Sequence, residues 1–308
     1  MQDWGRAMEH AEQVRVGKRL LRHIAAEKTD EAPTLYRNPV STYTSEEIAS
    51  AEADLLFRER PLILAASAEL PTPDSFVTHD LSGRPLLITR DSDGRARVFL
   101  NVCRHRGARI AEGCGKANRF VCPYHAWTFG SDGRLRARPA DAAFEGMPKE
   151  DHGLKELPCT ERHGLIFAKT EPGGRIDDVD LLGDLDREIA AYEIAGFHHF
   201  RTLDTVWGLN WKLSIDTFLE SYHFNTLHRN SIHPIFHPNV GAFDGFGPHL
   251  RVLYPRRTIG CFEDLPEADW DLPRHAVGVY VLFPNTVLVR QGEHVELWQA
   301  FPFGVDKV

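Results

Sequence analysis

Asn101–Ile110 reads NVCRHRGARI, and Val121–Phe129 reads VCPYHAWTF. Each stretch carries one Cys and one His, as C-x-H in the first and C-x-x-H in the second, and sixteen residues separate His105 from Cys122. Taken singly, each of the four reads as structural, because Cys is commonly buried and His commonly lies nearer the surface. Together they point to a metal. Cys2His2 suits zinc, but zinc modules usually pair like ligands on separate elements. One thiol and one imidazole from each stretch suits a [2Fe–2S] centre with two unlike irons. One iron takes both sulfurs and the other both nitrogens, so each loop reaches both. Neutral imidazoles lower the negative charge around such a centre and raise its potential. Gly107 and Gly113 provide for tight turns, Pro123 lies beside a ligand, and Tyr124 and Trp127 are placed to shield the site.

Outward from these loops the chain is full of short β-branched runs broken by turn residues. PLLITRDSDGRARVFLNVC reads as a hairpin turning at Asp93-Gly94, and WTFGSDGRLRARP as one turning at Asp132-Gly133. HGLIFAKT (163–170) is a further strand, and EPGG (171–174) marks a boundary. Residues 60–172 therefore read as a small all-β domain.

The segment before it, 1–59, reads as helical. Val14, Gly17, Leu21 and Ile24 fall near helical spacing, giving an amphipathic helix that lies on the body or on a neighbour. Thr44 and Glu47 have capping-box spacing for a helix over 45–58. The part after it, 173–308, mixes helices with strands. DDVDLLGDLDREIAAYEI begins a helix and NWKLSIDTFLESYHFNTLH forms another, with Asn210 as N-cap and Trp211 in the core. Strand-like runs follow from 250. The fold class is α+β.

Net charge is −8, with 36 Lys and Arg against 44 Asp and Glu, and no basic block stands out. This argues against nucleic acid as a partner, since phosphate binding needs a basic face. No apolar run approaches a membrane span, and the N-terminus lacks the apolar core of a secretory signal. Five cysteines, an odd number, do not form a disulfide framework, so a reducing cytoplasm is expected.

A second constellation lies at 216–228. His223 and His228 are five apart, with Glu220 three before the first and Asp216 seven before it. Two His and a carboxylate with open positions make a facial triad for Fe(II) and O2. A helix carrying two His is also common. On a straight helix, residues five apart diverge by about 140° and lie ~7.5 Å apart along the axis. Chelation therefore predicts that the helix widens, bulges or ends here.

C-x-H-x16-C-P-Y-H-x-W, over most of 60–172, resembles the Rieske domain of Rieske non-haem iron oxygenases. N-W-K…E-x-Y-H-x4-H resembles the mononuclear-iron segment of the same family. Respiratory Rieske proteins usually carry an extra disulfide beside the cluster. Cys114 has no matching second Cys, and Cys114, Cys159 and Cys261 read as buried and structural. The resemblance implies Cys103, His105, Cys122 and His125 as cluster ligands and His223 and His228 as ligands of a mononuclear Fe(II). Glu220 would be the carboxylate that bridges a ligand His to a Rieske His of the next subunit. Apart from the resemblance, Asp216 could bond a ligand His, and a solvated helix face explains it equally. Many members have Asp at the position of Glu220; Glu is associated with some that oxidise N-methyl groups. The family's third ligand, a carboxylate, lies roughly a hundred or more residues beyond the second His. That position falls past Val308, so none of the late acids Glu293, Glu296 and Asp306 is assigned and the catalytic domain is expected to be incomplete.

By the same resemblance, 173–308 would be a partial helix-grip-like domain, an antiparallel sheet with helices. The chain would be the α subunit, or terminal oxygenase, of an aromatic-ring-hydroxylating type of enzyme. It would hydroxylate or dihydroxylate an aromatic or other organic substrate with O2. A reductase or ferredoxin would supply electrons, originally from NAD(P)H, and the assembly would be a homotrimer or α3β3. Alternatives are an N- or O-demethylating monooxygenase of the quaternary-amine type and an electron-transfer fragment with only the Rieske centre functional.

Overall fold

The computed structural model describes residues 8–176 and 180–308, and the chain divides into two compact units. One comprises 50–179 with 195–204, the other 1–49, 180–194 and 205–308. The helices are α1 (His10–Ala26), α2 (Ser41–Thr44), α3 (Glu46–Glu52), α4 (Asp186–Ala191), α5 (Trp211–Asp216) and α6 (Leu272–His275).

The first unit is built on β1 (Leu62–Ala66), β2 (Ser75–His79), β3 (Leu86–Arg90), β4 (Ala96–Leu100), β5 (Cys114–Lys116), β6 (Arg119–Val121), β7 (Thr128–Gly130), β8 (Leu135–Ala137), β9 (Glu156–Leu157), β10 (Cys159–Arg162) and β11 (Leu165–Ala168). They form antiparallel sheets of order β5-β2-β3-β4-β9, β6-β7-β8 and β1-β11-β10. The expected turns are present. Between β3 and β4, Asp91 Oδ1 accepts from the N–H groups of Asp93 and Arg95, while Gly94 takes a φ of +80°. Between β7 and β8, Gly133 has a φ of +76°, and a Cβ there would come within 2.4 Å of the buried Phe99 ring. Gly133→Ala combines a left-handed backbone with overpacking and should cost on the order of 3 kcal/mol. Denaturant unfolding reads this directly, and an unchanged midpoint would show that Phe99 is free to move.

The helix expected over 45–58 is present as α3, continued by a wider π turn over Ala53–Arg58. Its cap is Ser45, not Thr44. Ser45 Oγ accepts from Ile48 N–H at 3.3 Å, whereas the Thr44 hydroxyl donates back to the Val40 carbonyl.

The second unit carries a five-stranded antiparallel meander of β12 (Ala242–Phe246), β13 (His249–Pro255), β14 (Ala276–Leu282), β15 (Thr286–Gln291) and β16 (His294–Gln299). Every residue of β14 is buried, which its run AVGVYVL anticipates. Helix α1 packs on this unit's core. Val16 and Leu20 are fully buried, with Val14, Leu21 and Ile24 flanking them, so the buried stripe is centred slightly off the expected one. Gly17 permits the approach of Trp270, whose ring would lie 3.0 Å from a Cβ. The helix expected from 177 onward is α4, six residues long after a 3-10 turn at Gly183–Leu185; 177–179 lie outside the described residues. His249 is buried on β13, where its Nδ1 accepts from Phe283 N–H.

One buried cation joins four elements of this unit. Arg251 on β13 is 1% exposed. It donates to Glu188 on α4 (2.6 Å), Glu12 on α1 (2.5 Å) and Asp244 on β12 (2.8 Å). Tyr280 donates to Glu188 in turn. No helix among the described residues is long and apolar enough to cross a membrane.

Candidate metal centres

The two Cys–His loops join β4 to β5 and β6 to β7, and their backbones close in the same way. Cys103 N–H donates to the Ala108 carbonyl, and Gly107 N–H donates to Cys103 O. Cys122 N–H donates to the Trp127 carbonyl, and Ala126 N–H donates to Cys122 O. The fourth residue after each Cys is left-handed, Gly107 at φ +75° and Ala126 at φ +52°. Asn101, which the sequence reading did not single out, fixes the first loop. It is fully buried; its Oδ1 accepts from Ile110 and Ala111 N–H at 3.1 Å each, and its Nδ2 donates to Ala111 O. An Asn at a strand-to-loop junction was the available signal.

Cys103 and Cys122 are buried in one apolar cluster with Phe99, Phe120, Trp127 and Phe129. Burial pushes the Cys103 thiol up, and the adjacent Cys122 pushes it further, while the N–H groups of His105 and Arg106 act the other way. The His105 and His125 rings are 4.7 Å apart. His105 stacks on Trp127 at 4.9 Å and 5°, with Phe144 edge-on at 6.0 Å. His105 Nδ1 is buried without a hydrogen-bond partner, an atom that a metal would satisfy. His125 is exposed, and Tyr124, also exposed, lies 3.9 Å from it.

Among the described residues no three His, Cys, Asp or Glu side chains are disposed to hold a single ion. A tetrahedral zinc needs four ligands around one point. Two sulfurs in contact and two imidazoles in contact form two pairs, and this donor set fits a [2Fe–2S] cluster.

In the second unit the expected break of the helix is observed. Asn210 caps α5 by accepting from Lys212 N–H. The helix gives way to a 3-10 turn at Thr217–Leu219, and Glu220 is extended (φ −147°, ψ 155°). The cause is local: Glu220 Oε2 accepts from the N–H groups of Tyr222 (2.6 Å) and His223 (3.2 Å), which a continuing helix would need. A second 3-10 turn, Tyr222–Asn225, follows. It brings the His223 and His228 rings to 5.1 Å at 63°. Glu220 Oε1 bonds His223 Nδ1, which leaves Nε2 free for a metal. Glu220 is half-exposed.

Other expectations need correction. Asp216 is exposed and its carboxylate accepts from the Tyr43 hydroxyl at 2.8 Å; α5 ends there, so the seven-residue helical register toward His223 is lost. Of the unassigned late acids, Glu293 is in the β15–β16 turn and Asp306 is exposed. Glu296, on β16, is engaged by His294 and Trp298. Cys114 and Cys261 are exposed and Cys159 is partly buried, so none of the three is fully buried.

Two family models match the chain: a Rieske [2Fe-2S] domain over 60–158 and the catalytic domain of a ring hydroxylating alpha subunit over 193–308. The glycine betaine monooxygenase oxygenase subunit of Chromohalobacter salexigens is 32% identical over 192 residues, 62% of this chain and 42% of that protein. The biphenyl 2,3-dioxygenase alpha subunit of Rhodococcus jostii is 30% identical over 275 residues, 84% of this chain and 55% of that one. The chain thus spans about half the length of the curated relatives it matches. Among solved structures, a quaternary ammonium Rieske monooxygenase described for carnitine oxidation and inter-subunit electron transfer superposes with a TM-score of 0.75, covering 87% of this chain and 73% of that one at 24% identity. Naphthalene 1,2-dioxygenase from Rhodococcus sp. gives 0.73, with 96% and 74% covered at 23% identity, and both likenesses concern the fold. With a Rieske domain ahead of residues of a ring-hydroxylating catalytic domain, the chain belongs to the Rieske oxygenase alpha-subunit family.

Proposed function

We propose that this protein is the terminal oxygenase of a Rieske non-haem iron enzyme. Cys103 and Cys122 would hold one iron of a [2Fe–2S] cluster and His105 and His125 the other, while His223 and His228 would hold a mononuclear Fe(II). The carrying observation is the pairing of two buried thiols with two adjacent imidazoles, one of which has an unsatisfied buried nitrogen. When bound, the cluster supplies single electrons and the ferrous centre supplies O2 activation beside an organic substrate.

The chain's own residues prepare both events. Trp127 and Phe144 exclude water from the inner face of His105, and exposed His125 gives the cluster an outlet. Glu220 holds the proton on His223 Nδ1, fixing the tautomer and the ring plane. Its half-exposed carboxylate is the bridge to a Rieske imidazole of a second copy, in a trimer with or without a β subunit. The electron donor would be a reductase or ferredoxin drawing on NAD(P)H, in the cytoplasm. A third ligand of the Fe(II) is not assigned to any described carboxylate.

A second reading of the substrate is favoured by Glu220 standing where many members have Asp, and by betaine- and carnitine-oxidising relatives. It is N-methyl oxidation of a quaternary amine instead of hydroxylation of an aromatic ring. The test is iron and acid-labile sulfide analysis, followed by O2 uptake with glycine betaine, carnitine, anthranilate and naphthalene as candidates. Protein that binds zinc in place of iron and sulfide overturns the proposal, and uptake stimulated only by the aromatics overturns the second reading.

His125→Cys should keep a cluster but lower its potential, by on the order of 100 mV or more toward the all-Cys range. Redox titration followed by EPR checks this, and an unchanged potential would remove His125 from the ligand set.

A further inference from the structure

We infer that Arg138 is a positioning residue that raises the reduction potential of the Rieske cluster, through a buried positive charge laid behind the aromatic pair that covers His105. This rests on the cluster assignment proposed above.

Arg138 follows directly on β8, and its side chain is 5% exposed. Its guanidinium lies 4.8 Å from the centre of the Phe144 ring and 5.7 Å from that of Trp127. Phe144 stands edge-on to Trp127 at 5.5 Å, and both rings contact His105. The cation is therefore one aromatic layer from His105. Three anchors hold it: Nε donates to Asp141 Oδ1 at 2.5 Å, and Nη2 donates to the Met147 and Phe144 carbonyls at 2.7 and 3.4 Å. Nη1 is buried and has no hydrogen-bond partner, so the ring faces are its remaining compensation.

The countercharge does not cancel the field. Asp141 is 47% exposed and also binds Lys149 at 2.6 Å, so the group Arg138–Asp141–Lys149 carries a net +1. Its anion and second cation are screened by water, whereas Arg138 acts through a dry aromatic layer of low dielectric. Reduction adds one negative charge to a cluster that already carries two thiolates. A fixed cation on the interior side favours the reduced form, because cluster net charge and its surroundings set the potential. Packing alone would not have required a charge here: an apolar side chain of similar length could hold Phe144 and Trp127.

The test uses three variants of the cluster-loaded protein: Arg138→Met, which keeps the stem and removes the charge, Arg138→Lys, and Asp141→Asn. Iron and sulfide content and the EPR g-values are read first. A wild-type protein without a cluster defeats the assignment on which this rests, and is thereby distinct from failure of the inference itself. With the cluster present, Arg138→Met should lower the reduced-to-oxidised ratio at a fixed ambient potential about tenfold, about 59 mV for a one-electron couple. Its g-values should stay unchanged, and Arg138→Lys should restore most of the ratio. Asp141→Asn should move the potential the opposite way, by less, because that carboxylate is half in water. If Arg138→Met fails to load its cluster, the sign of the Asp141→Asn shift decides. A potential equal to wild type in Arg138→Met, or no rise in Asp141→Asn, overturns the inference.

Discussion

Glu220→Gln should leave both metal centres loaded and yet lower turnover by about 10- to 100-fold, the usual loss when a group that orients a ligand His is replaced. One carboxylate oxygen of Glu220 accepts two backbone N–H groups and the other accepts from His223 Nδ1. Gln has a single acceptor oxygen. If it serves the amides, its NH2 faces the imidazole N–H, donor against donor. If it turns to serve the imidazole, Tyr222 and His223 lose their acceptor. Either way the charge that would draw a neighbouring subunit's imidazole is gone. The separating measurement sets iron content and the EPR signal against single-turnover product yield. Product formed at the normal rate would remove both the orienting and the bridging role.

Arg251→Met should destabilise the second unit by about 3–5 kcal/mol, the usual consequence of leaving a buried charge unpaired. Glu188, 11% exposed, would lose its counter-ion, and Glu12 and Asp244 would lose a shared donor. Hydrogen exchange should rise in α1, α4 and β12–β13 together, because Arg251 ties all four. The pH dependence tests the cause. Glu12 is held down at about 2 from its usual 4.5, first by the hydrogen bond from Arg15 and then, against burial, by Arg251. Its depressed value contributes stability above 4.5 that is lost as the pH falls toward 2. Glu188 is pushed up by burial, with Arg251 opposing, so its contribution runs the other way, fading as pH rises through its folded value. Without Arg251 both carboxylates bind protons more readily when folded. The penalty of the substitution should then be largest at neutral pH and shrink as the pH falls, first above 4.5 where Glu188 takes up its proton and further below 4.5 where Glu12 does. A penalty constant from pH 7 to 3 would mean that the loss is one of packing. Arg251→Met combined with Glu188→Gln should recover part of the stability.

The sequence was most informative where chemistry and backbone agree. Asp93-Gly94 and Asp132-Gly133 mark hairpins because glycine alone accepts their left-handed turns without strain. The Cys–His spacing identified both loops because few residue pairs serve two unlike irons. The break at Glu220 followed from a geometric conflict between chelation and a straight helix, though its agent, the residue's own carboxylate, did not. What escaped were partners distant in sequence. Asp216 was a candidate partner of a ligand His or simply a solvated helix position, and neither reading could name Tyr43, which reaches it from 173 residues away. Arg138 lies in RLRARP among other arginines, and only the fold distinguishes the one that is buried. Cys114 and Cys261 looked like core residues because most cysteines are, and both are exposed.

The twin turns of the two cluster loops determine how this domain depends on its iron. Each loop is pinned by its own main-chain bonds, and the first also by Asn101, so the chain itself supplies part of the order that the ligand-bearing turns need. In zinc fingers, by contrast, the free energy of metal capture is largely the free energy of folding. Here the turns carry their own hydrogen bonds, so capture of the inorganic group would demand less ordering of the backbone than it does in a zinc finger.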